Sequence, residues 1–468
     1  MPAVPPAPGT QPPEPAVRLA DLRGRRVAVW GTGREGVAAV RAIAPVGPAE
    51  LFVIQDRETF LAQQWTPELA ALAPLYGGEA GRQALAGAEV LVRSPIIGQT
   101  HPWVREHRAR GGTVTGGSAL WLADHAGRTI GVTGSKGKST TTSLISQLLT
   151  AVGRPNVLGG NIGIATLDLP EADLYVLELS VYQCADLTDS PRVVALTSLY
   201  PEHLDWSGSE QAYYRDKLTI ADHQPERVVY NADDPQLAAR LPGRGLPLLA
   251  AGGPDTFHAA PGPDGRAWLH RAERPLFPRA AFGPVGRHNQ ANLCVALGVL
   301  ESVGVDCFAQ REPIAAAVAG FRPLPHRLTP IEDPSGITFV DDSISTIPQS
   351  TVHAIEAFAD RPLTVILGGE DRGVDYRPLR DFLARQPVTA TLVGIPDSGA
   401  QILASLAGLP GLVPVLADDL VDAVRLARER TPAGGVVLLS PAAPSYGRFD
   451  NYEHRSRVFR QAIADTRQ

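Results

Sequence analysis

Short apolar runs recur along the chain. Each is bounded by glycine, proline or a polar cluster, and most are followed by a stretch with helical spacing. Arg26-Val27-Ala28-Val29-Trp30 is the first. Gly31-Thr32-Gly33-Arg34-Glu35-Gly36 follows, then a helical stretch to about Ala44 and a second run, Leu51-Phe52-Val53-Ile54, ending on Gln55-Asp56. Strand, glycine turn, helix and strand make a βαβ unit. Val90-Leu91-Val92 adds another strand before Ser94-Pro95. The pattern restarts at Arg128-Thr129-Ile130-Gly131-Val132-Thr133, turns through Gly134-Ser135-Lys136-Gly137-Lys138-Ser139, and enters a helix running to about Val152. Runs at 175–178, 193–197 and 227–230 predict further strands, and 251–285 reads as short strands and turns. A helix is expected from about Asn289 to Ser302. Beyond the proline-bearing segment Phe321-Arg322-Pro323-Leu324-Pro325, strands at 337–340, 363–367, 390–393 and 435–439 alternate with helices.

This alternation predicts an α/β chain of three domains with doubly wound sheets, a Rossmann-like unit at each end and a P-loop ATPase-like unit between them. The expected boundaries are a tail at 1–17, then 18–126, 127–323 and 324–468. The tail holds seven prolines and little that is apolar, which predicts disorder.

Composition narrows the class. No apolar stretch approaches the roughly 20 residues of a membrane helix. The N-terminus lacks a basic segment followed by an apolar one, so no secretory signal is expected. A net charge of -6 argues against a nucleic-acid binder. Cys184, Cys294 and Cys307 are too few and too scattered for a disulfide framework or a zinc site. The expectation is a reduced, cytoplasmic protein with no membrane or nucleic-acid partner.

The basic residues are lopsided: of 43, only Lys136, Lys138 and Lys217 are lysine. A GC-rich coding bias explains the arginines. The three lysines mark places where chemistry closed to arginine is worth seeking, because an amine can lose its proton and a guanidinium cannot.

Lys136 and Lys138 sit in GSKGKST, a glycine turn between a strand and a helix. Backbone N–H groups of Gly134, Ser135 and Gly137 can close on phosphate oxygens, and the helix N-terminus adds its positive end. Lys138 would neutralise phosphate charge and Ser139 hold Mg²⁺, with Thr140 beside them. The spacing is shorter than the strict P-loop, and a plain glycine turn with a surface lysine is the alternative. Gly31, Thr32, Gly33 and Arg34, with Asp56 about twenty residues on, match a dinucleotide fingerprint. Beside a separate ATP-type loop, that match favours a second nucleotide-bearing ligand over tight packing alone. Glu178 closes an apolar run, and His203 lies just past another. A carboxylate and a histidine near an ATP loop suggest Mg²⁺ ligands, although lone residues of this kind are more often structural.

Taken in order, GSKGKST, GGNIG (159–163), LELSVYQ (177–183), PEHLDW (201–206), YYRDKL (213–218), NADD (231–234), GRHNQAN (286–292), LPHR (324–327) and DDS (341–343) resemble the Mur ligases. These are ATP-dependent amino-acid ligases of peptidoglycan precursor synthesis, and the likeness, over about 24–460, is greatest to their glutamate-adding members. The resemblance implies ATP and Mg²⁺ as cofactors, and UDP-N-acetylmuramoyl-L-alanine and glutamate as substrates. It makes 18–126 the UDP-substrate domain, 127–323 the ATP domain and 324–468 the glutamate domain. By the same likeness Lys138 and Ser139 grip phosphates, and Glu178 and His203 ligate Mg²⁺. Lys217 becomes a carbamate that bridges metal, and Asn161 holds substrate. Asn289 and Asn292 lie on the adenine side, and Arg327 and Asp342 close over the nucleotide. Lys136 departs from the pattern, which often has asparagine there.

The implied glutamate contacts are Thr346, Arg372, Ser445 and Tyr452, the last in place of phenylalanine. Ile344 stands where D-glutamate-adding members carry a lysine. An alkyl group cannot pair with a carboxylate, so the pocket differs and leans towards L-glutamate, while D-glutamate is the family default. Two rivals remain at this level. A folylpolyglutamate synthase-like ligase would lack the first glycine-loop domain. A nucleotide-binding dehydrogenase or switch would need only one glycine loop.

Overall fold

The computed structural model describes residues 16–56, 65–162, 164–202, 204–283, 286–321, 326, 328–371, 374, 376–386, 388–445 and 447–467. Most of the proline-rich tail, 1–15, lies outside them. Val17, placed in that tail by the sequence, is 7% exposed and packs with Leu22 and Val27. One apolar side chain of the expected tail thus belongs to the first core.

The chain forms two compact units, Met1–Phe282 with Ala291–Phe321, and Gly283–Gln290 with Arg322–Gln468. The first unit holds two parallel sheets. One comprises β1 (Arg26–Trp30), β2 (Glu50–Gln55), β3 (Leu75–Gly77), β4 (Val90–Arg93) and β5 (Thr113–Gly116), in the order β3-β2-β1-β4-β5. This is the doubly wound Rossmann order, in which the strand order reverses between the paired strands β1 and β4 and ligands bind at their carboxyl ends. Val27, Val29, Phe52, Ile54, Val90 and Leu91 are buried, as in a sheet covered on both faces. Gly36 opens the first helix so close to the turn that a Cβ there would meet the Gly31 carbonyl oxygen at 1.9 Å.

The second sheet comprises β6 (Thr129–Thr133), β7 (Val157–Gly160), β8 (Tyr175–Glu178), β9 (Val193–Leu196), β10 (Arg227–Asn231) and β11 (Leu248–Ala251), in the order β11-β10-β9-β6-β8-β7. Here β6 is the switch strand, flanked by β8 and β9. The Gly/Pro-rich stretch after it forms an antiparallel sheet of β12 (Phe257–Pro261), β13 (Ala267–Arg271) and β14 (Arg274–Pro278).

The second unit contains β15 (Thr329–Glu332), β16 (Thr338–Asp341), β17 (Leu363–Leu367), β18 (Ala390–Gly394), β19 (Leu412–Leu416) and β20 (Val436–Leu439). Their order is β15-β16-β20-β17-β18-β19, and only β15 runs antiparallel. The expected class, α/β with Rossmann-like sheets at each end of the chain and an ATPase-like sheet between, is the class observed.

One buried ion pair ties the two sheets of the first unit. Arg93, at the end of β4, donates from Nε (3.1 Å) and Nη2 (2.6 Å) to Asp186 Oδ1. Both side chains are buried, and Arg93 also donates to the Ile97 carbonyl. Removing one partner of such a pair strands the other charge. Arg93→Met is expected to destabilise this unit by about 3–5 kcal/mol. A denaturant titration giving wild-type stability would show the pair to be dispensable.

Candidate active site

The turn after β6 is held in an unusual conformation. Gly134 has φ +155°, and a Cβ there would meet Thr197 Oγ1 at 2.0 Å, so no other residue fits. The turn feeds the helix Lys138–Ala151, whose first residues Ser139 and Thr140 are buried. Its N–H groups therefore point at the mouth of the switch strand, the arrangement that favours an anion. A Cβ on Gly137 would meet Asn292 Oδ1 at 2.5 Å, so Asn292 lies against the turn. Asn289 belongs to the second unit and is buried.

Two lysines converge on one oxygen. Lys138 Nζ donates to the carbonyls of Gly134 (2.9 Å) and Ser135 (3.0 Å). Lys217 Nζ donates to the same Gly134 carbonyl at 3.0 Å. Lys217 is 2% exposed and stacks its amine over Tyr213 at 5.1 Å. Burial, and next the charge of Lys138, pulls its pKa down to about 7. An amine with that pKa is about half neutral at pH 7, a nucleophilic fraction that no arginine could have. Tyr213, four residues earlier on the same helical face, bonds Ser135 Oγ at 2.8 Å. Its spacing from Lys217 is the signal that could have flagged it.

Glu178 ends β8 on the other side of β6. Its Oε1 accepts from Asn161 Nδ2 at 2.7 Å, while Oε2 is buried with no hydrogen-bond partner. An orphaned carboxylate oxygen in such a place is what a hard cation would satisfy. Among the described residues no three His, Cys, Asp or Glu cluster as a metal cage. One carboxylate with hydroxyls and substrate phosphates is instead the donor set typical of Mg²⁺. His203, proposed from sequence as a second ligand, lies outside the described residues.

The first glycine loop reaches this centre. Thr32 Oγ1 accepts from Gln55 Nε2 at 2.9 Å, which fixes the turn between β1 and β2. Arg34 Nη2 donates to the carbonyls of Gly160 (3.2 Å) and Asn161 (3.3 Å). Gly31, Gly33 and Asp56 stand at the carboxyl ends of the same strands, Asp56 with His101 Nε2 4.0 Å away. Thus Arg34 joins the loop of the first sheet to the residue that holds Glu178.

In the second unit the sequence-implied glutamate positions follow three adjacent strands. Thr346 follows β16, Ser445 follows β20, and the Gly368-Gly369 turn follows β17. Arg372 and Arg327 lie outside the described residues. Asp342 is buried; its Oδ2 accepts from Ser345 Oγ (2.5 Å) and Ser440 Oγ (2.8 Å), and Oδ1 from the Leu328 N–H (3.3 Å). Sequence reasoning missed Arg455. Fully buried, it donates to Ser343 O (2.7 Å), Ser343 Oγ (3.1 Å), Ala443 O (3.1 Å) and Pro444 O (3.2 Å). It pins the turn before Thr346 to the loop before Ser445. Tyr452 opens the same helix and accepts from Ser343 Oγ through its carbonyl at 2.8 Å.

Comparison with known proteins follows this geometry. Residues 132–300 match the Mur ligase middle domain. Over 450 residues, 96% of this chain and 99% of the other, it is 63% identical to a UDP-N-acetylmuramoyl-L-alanine–L-glutamate ligase of a Micromonospora species. The same-named protein of Salinispora tropica is 62% identical over 96% of this chain and all of its own length. The chain belongs to the Mur ligase family. Mur ligases are ATP-dependent enzymes that form amide bonds. The UDP-N-acetylmuramate–alanine ligase of Thermotoga maritima shares this Mur ligase's fold with a TM-score of 0.57 at 18% identity, covering 95% of this chain and all of that one. The MurF ligase of the same organism, solved with ADP, gives 0.55 at 17% identity, covering 97% and 99%. Among the described residues of this Mur ligase no helix is long and apolar enough to cross a membrane.

Glu178→Gln preserves the Asn161 contact through its amide oxygen and removes a buried charge with an unmatched oxygen. The thermal midpoint is expected to hold or rise, while turnover falls on the order of 10²-fold or more. A variant that loses stability and keeps its rate would make Glu178 a structural residue.

Proposed function

We infer that the chain ligates L-glutamate to the terminal carboxylate of UDP-N-acetylmuramoyl-L-alanine, driven by ATP, in the cytoplasm. The observation that carries this reading is near-full-length identity above 60% to ligases of that name. The phosphate turn and the first glycine loop supply sites for the two nucleotide-bearing substrates. Ile344, where a lysine would serve D-glutamate, supports the L enantiomer. Residues 18–126 are assigned to the UDP-substrate, 127–323 to ATP and 324–468 to glutamate.

The substrate carboxylate attacks the γ-phosphorus of ATP and ADP departs, leaving an acyl phosphate. The glutamate amine then attacks the acyl carbon and inorganic phosphate leaves. The Gly134–Thr140 turn holds the phosphates, and Lys138 neutralises charge on the phosphoryl group in transit. Gly31, Thr32, Gly33, Arg34 and Asp56 hold the uridine diphosphate, and Asn161 orients substrate beside Glu178. Glu178 and Ser139 would hold Mg²⁺, which would supply charge neutralisation along the phosphate chain. The neutral Lys217 amine would add to the carbon of CO₂ and give up one proton to water, leaving a carbamate that would offer a further anionic oxygen on that side of the turn. Thr346, Ser445 and Tyr452 line the glutamate site.

ADP release with UDP-N-acetylmuramoyl-L-alanine and each glutamate enantiomer tests the reading. L-Glutamate is expected to be used at least about tenfold better than D-glutamate, since the wrong isomer leaves a buried carboxylate unpaired. Lys138→Ala is expected to lose on the order of 10²-fold in turnover. Preference for D-glutamate, or a Lys138→Ala enzyme of normal rate, would refute the respective assignment.

A further inference from the structure

One cation of the second unit is held where it does little for the fold. Arg448 Nε donates to Asp397 Oδ1 at 3.1 Å, and Nη2 lies 3.1 Å from the same oxygen. Each side chain is 52% exposed, and among the described residues neither has another side-chain partner. An ion pair so open to water adds little stability. Both contacts fall on one oxygen, so the parallel two-oxygen fork of which a guanidinium is capable is not made.

The place of this pair gives it another task. Asp397 follows β18 and Arg448 follows β20, and β17 stands between those strands. The pair therefore spans the turn after β17. Gly368 and Gly369 permit this. A Cβ on Gly368 would meet the Ile395 carbonyl oxygen at 2.3 Å, and one on Gly369 the Pro444 carbonyl oxygen at 2.2 Å. The two loops close in on a turn that has no side chains. Backbone bonds fix them there. The N–H groups of Asp397 (3.1 Å) and Ser398 (2.9 Å) donate to the Gly369 carbonyl, and that of Glu370 to the Pro444 carbonyl (2.9 Å). The Phe449 N–H donates to the Ser445 carbonyl at 3.2 Å, which puts Arg448 in one turn with Ser445.

Glutamate brings two carboxylates, and Ile344 offers neither of them a charge. Arg455 is fully buried and spends its donors on Ser343, Ala443 and Pro444. Arg448 is exposed and held by one carboxylate oxygen alone. We propose that Arg448 is a specificity-determining residue: its guanidinium leaves Asp397 and takes a carboxylate of the incoming glutamate in a two-oxygen fork, and Asp397 holds the arginine over the glycine turn between turnovers. The proposal rests on the reading of the second unit as the glutamate site.

Steady-state ADP release by the full-length protein tests it, with L-glutamate, L-glutamine and L-isoglutamine as acceptors. The two amides remove the side-chain and the α-carboxylate in turn. Arg448→Gln should raise the KM for L-glutamate at least about tenfold and leave the KM for ATP within about twofold of wild type. Its preference for glutamate over one of the amides should fall at least about tenfold, and that amide names the carboxylate bound. Asp397→Asn removes the competing carboxylate and should lower the KM for L-glutamate, by up to about threefold. A merely structural tie would be cut equally from either side. A wild-type KM for L-glutamate in Arg448→Gln overturns the proposal. So do preferences over both amides that this variant leaves intact, or an Asp397→Asn enzyme whose KM rises as that of Arg448→Gln does. A wild-type protein that releases no ADP with either glutamate enantiomer defeats the glutamate reading itself, and this proposal with it.

Discussion

The carbonyl oxygen of Gly134 accepts hydrogen bonds from two lysine side chains, and much of the first unit is arranged around that fact. Two ammonium groups on one oxygen repel, and water cannot screen them where Lys217 is buried. Burial of the Lys217 amine, and next the charge of Lys138, pulls its pKa down to about 7, so the conflict eases by partial proton loss at neutral pH. The rest follows from keeping that geometry. Only glycine fits at 134, because Thr197 closes on it. Strand β6 must be central so that β8 can bring Glu178 and β9 can bring 197–202 to its two sides. The same constraint turns a surface-type residue into a partly neutral amine, as the proposed carbamate role requires.

The second unit shows the opposite solution. Arg455 is as deeply buried, and burial pulls its pKa down to about 9, with Asp341 and Asp342 opposing. A guanidinium keeps its proton at neutral pH and spends its donors on three carbonyls and a hydroxyl. That makes it a clamp for loops. A chain with 40 arginines and three lysines thus uses each cation for what the other does poorly.

Much of the site was legible in sequence because its chemistry is local. The turn from Gly134 to Thr140 carries its own signature, as does the first glycine loop, and both lie between a strand and a helix as the apolar pattern required. What stayed hidden is long-range. Arg93 and Asp186 lie 93 residues apart and nothing near either announces the pair. Arg448 with Asp397 and Arg455 with Ser343 are likewise products of strand order, which periodicity does not encode. The strands β3, β5, β7, β11, β15 and β19 were not predicted because each is five residues or fewer and most are interrupted by glycine, proline or a polar residue. The glutamate enantiomer was open at that level because Ile344 removes a contact without naming its replacement. The proposed choice of L-glutamate leans on the names of the relatives.

The scarcity of lysine allows the central constraint to be measured directly. Protein labelled with ¹⁵N at the lysine amines should give at most three side-chain amine resonances. Their pH titration in CO₂-depleted buffer, with Lys217→Met to assign one of them, reads the amine at the Gly134 carbonyl without reference to activity. One resonance, absent from Lys217→Met, is predicted to titrate near pH 7. If the Lys217 resonance instead titrates near the ordinary lysine value of about 10.4, the amine is not neutralised by its burial and the account of this site is wrong.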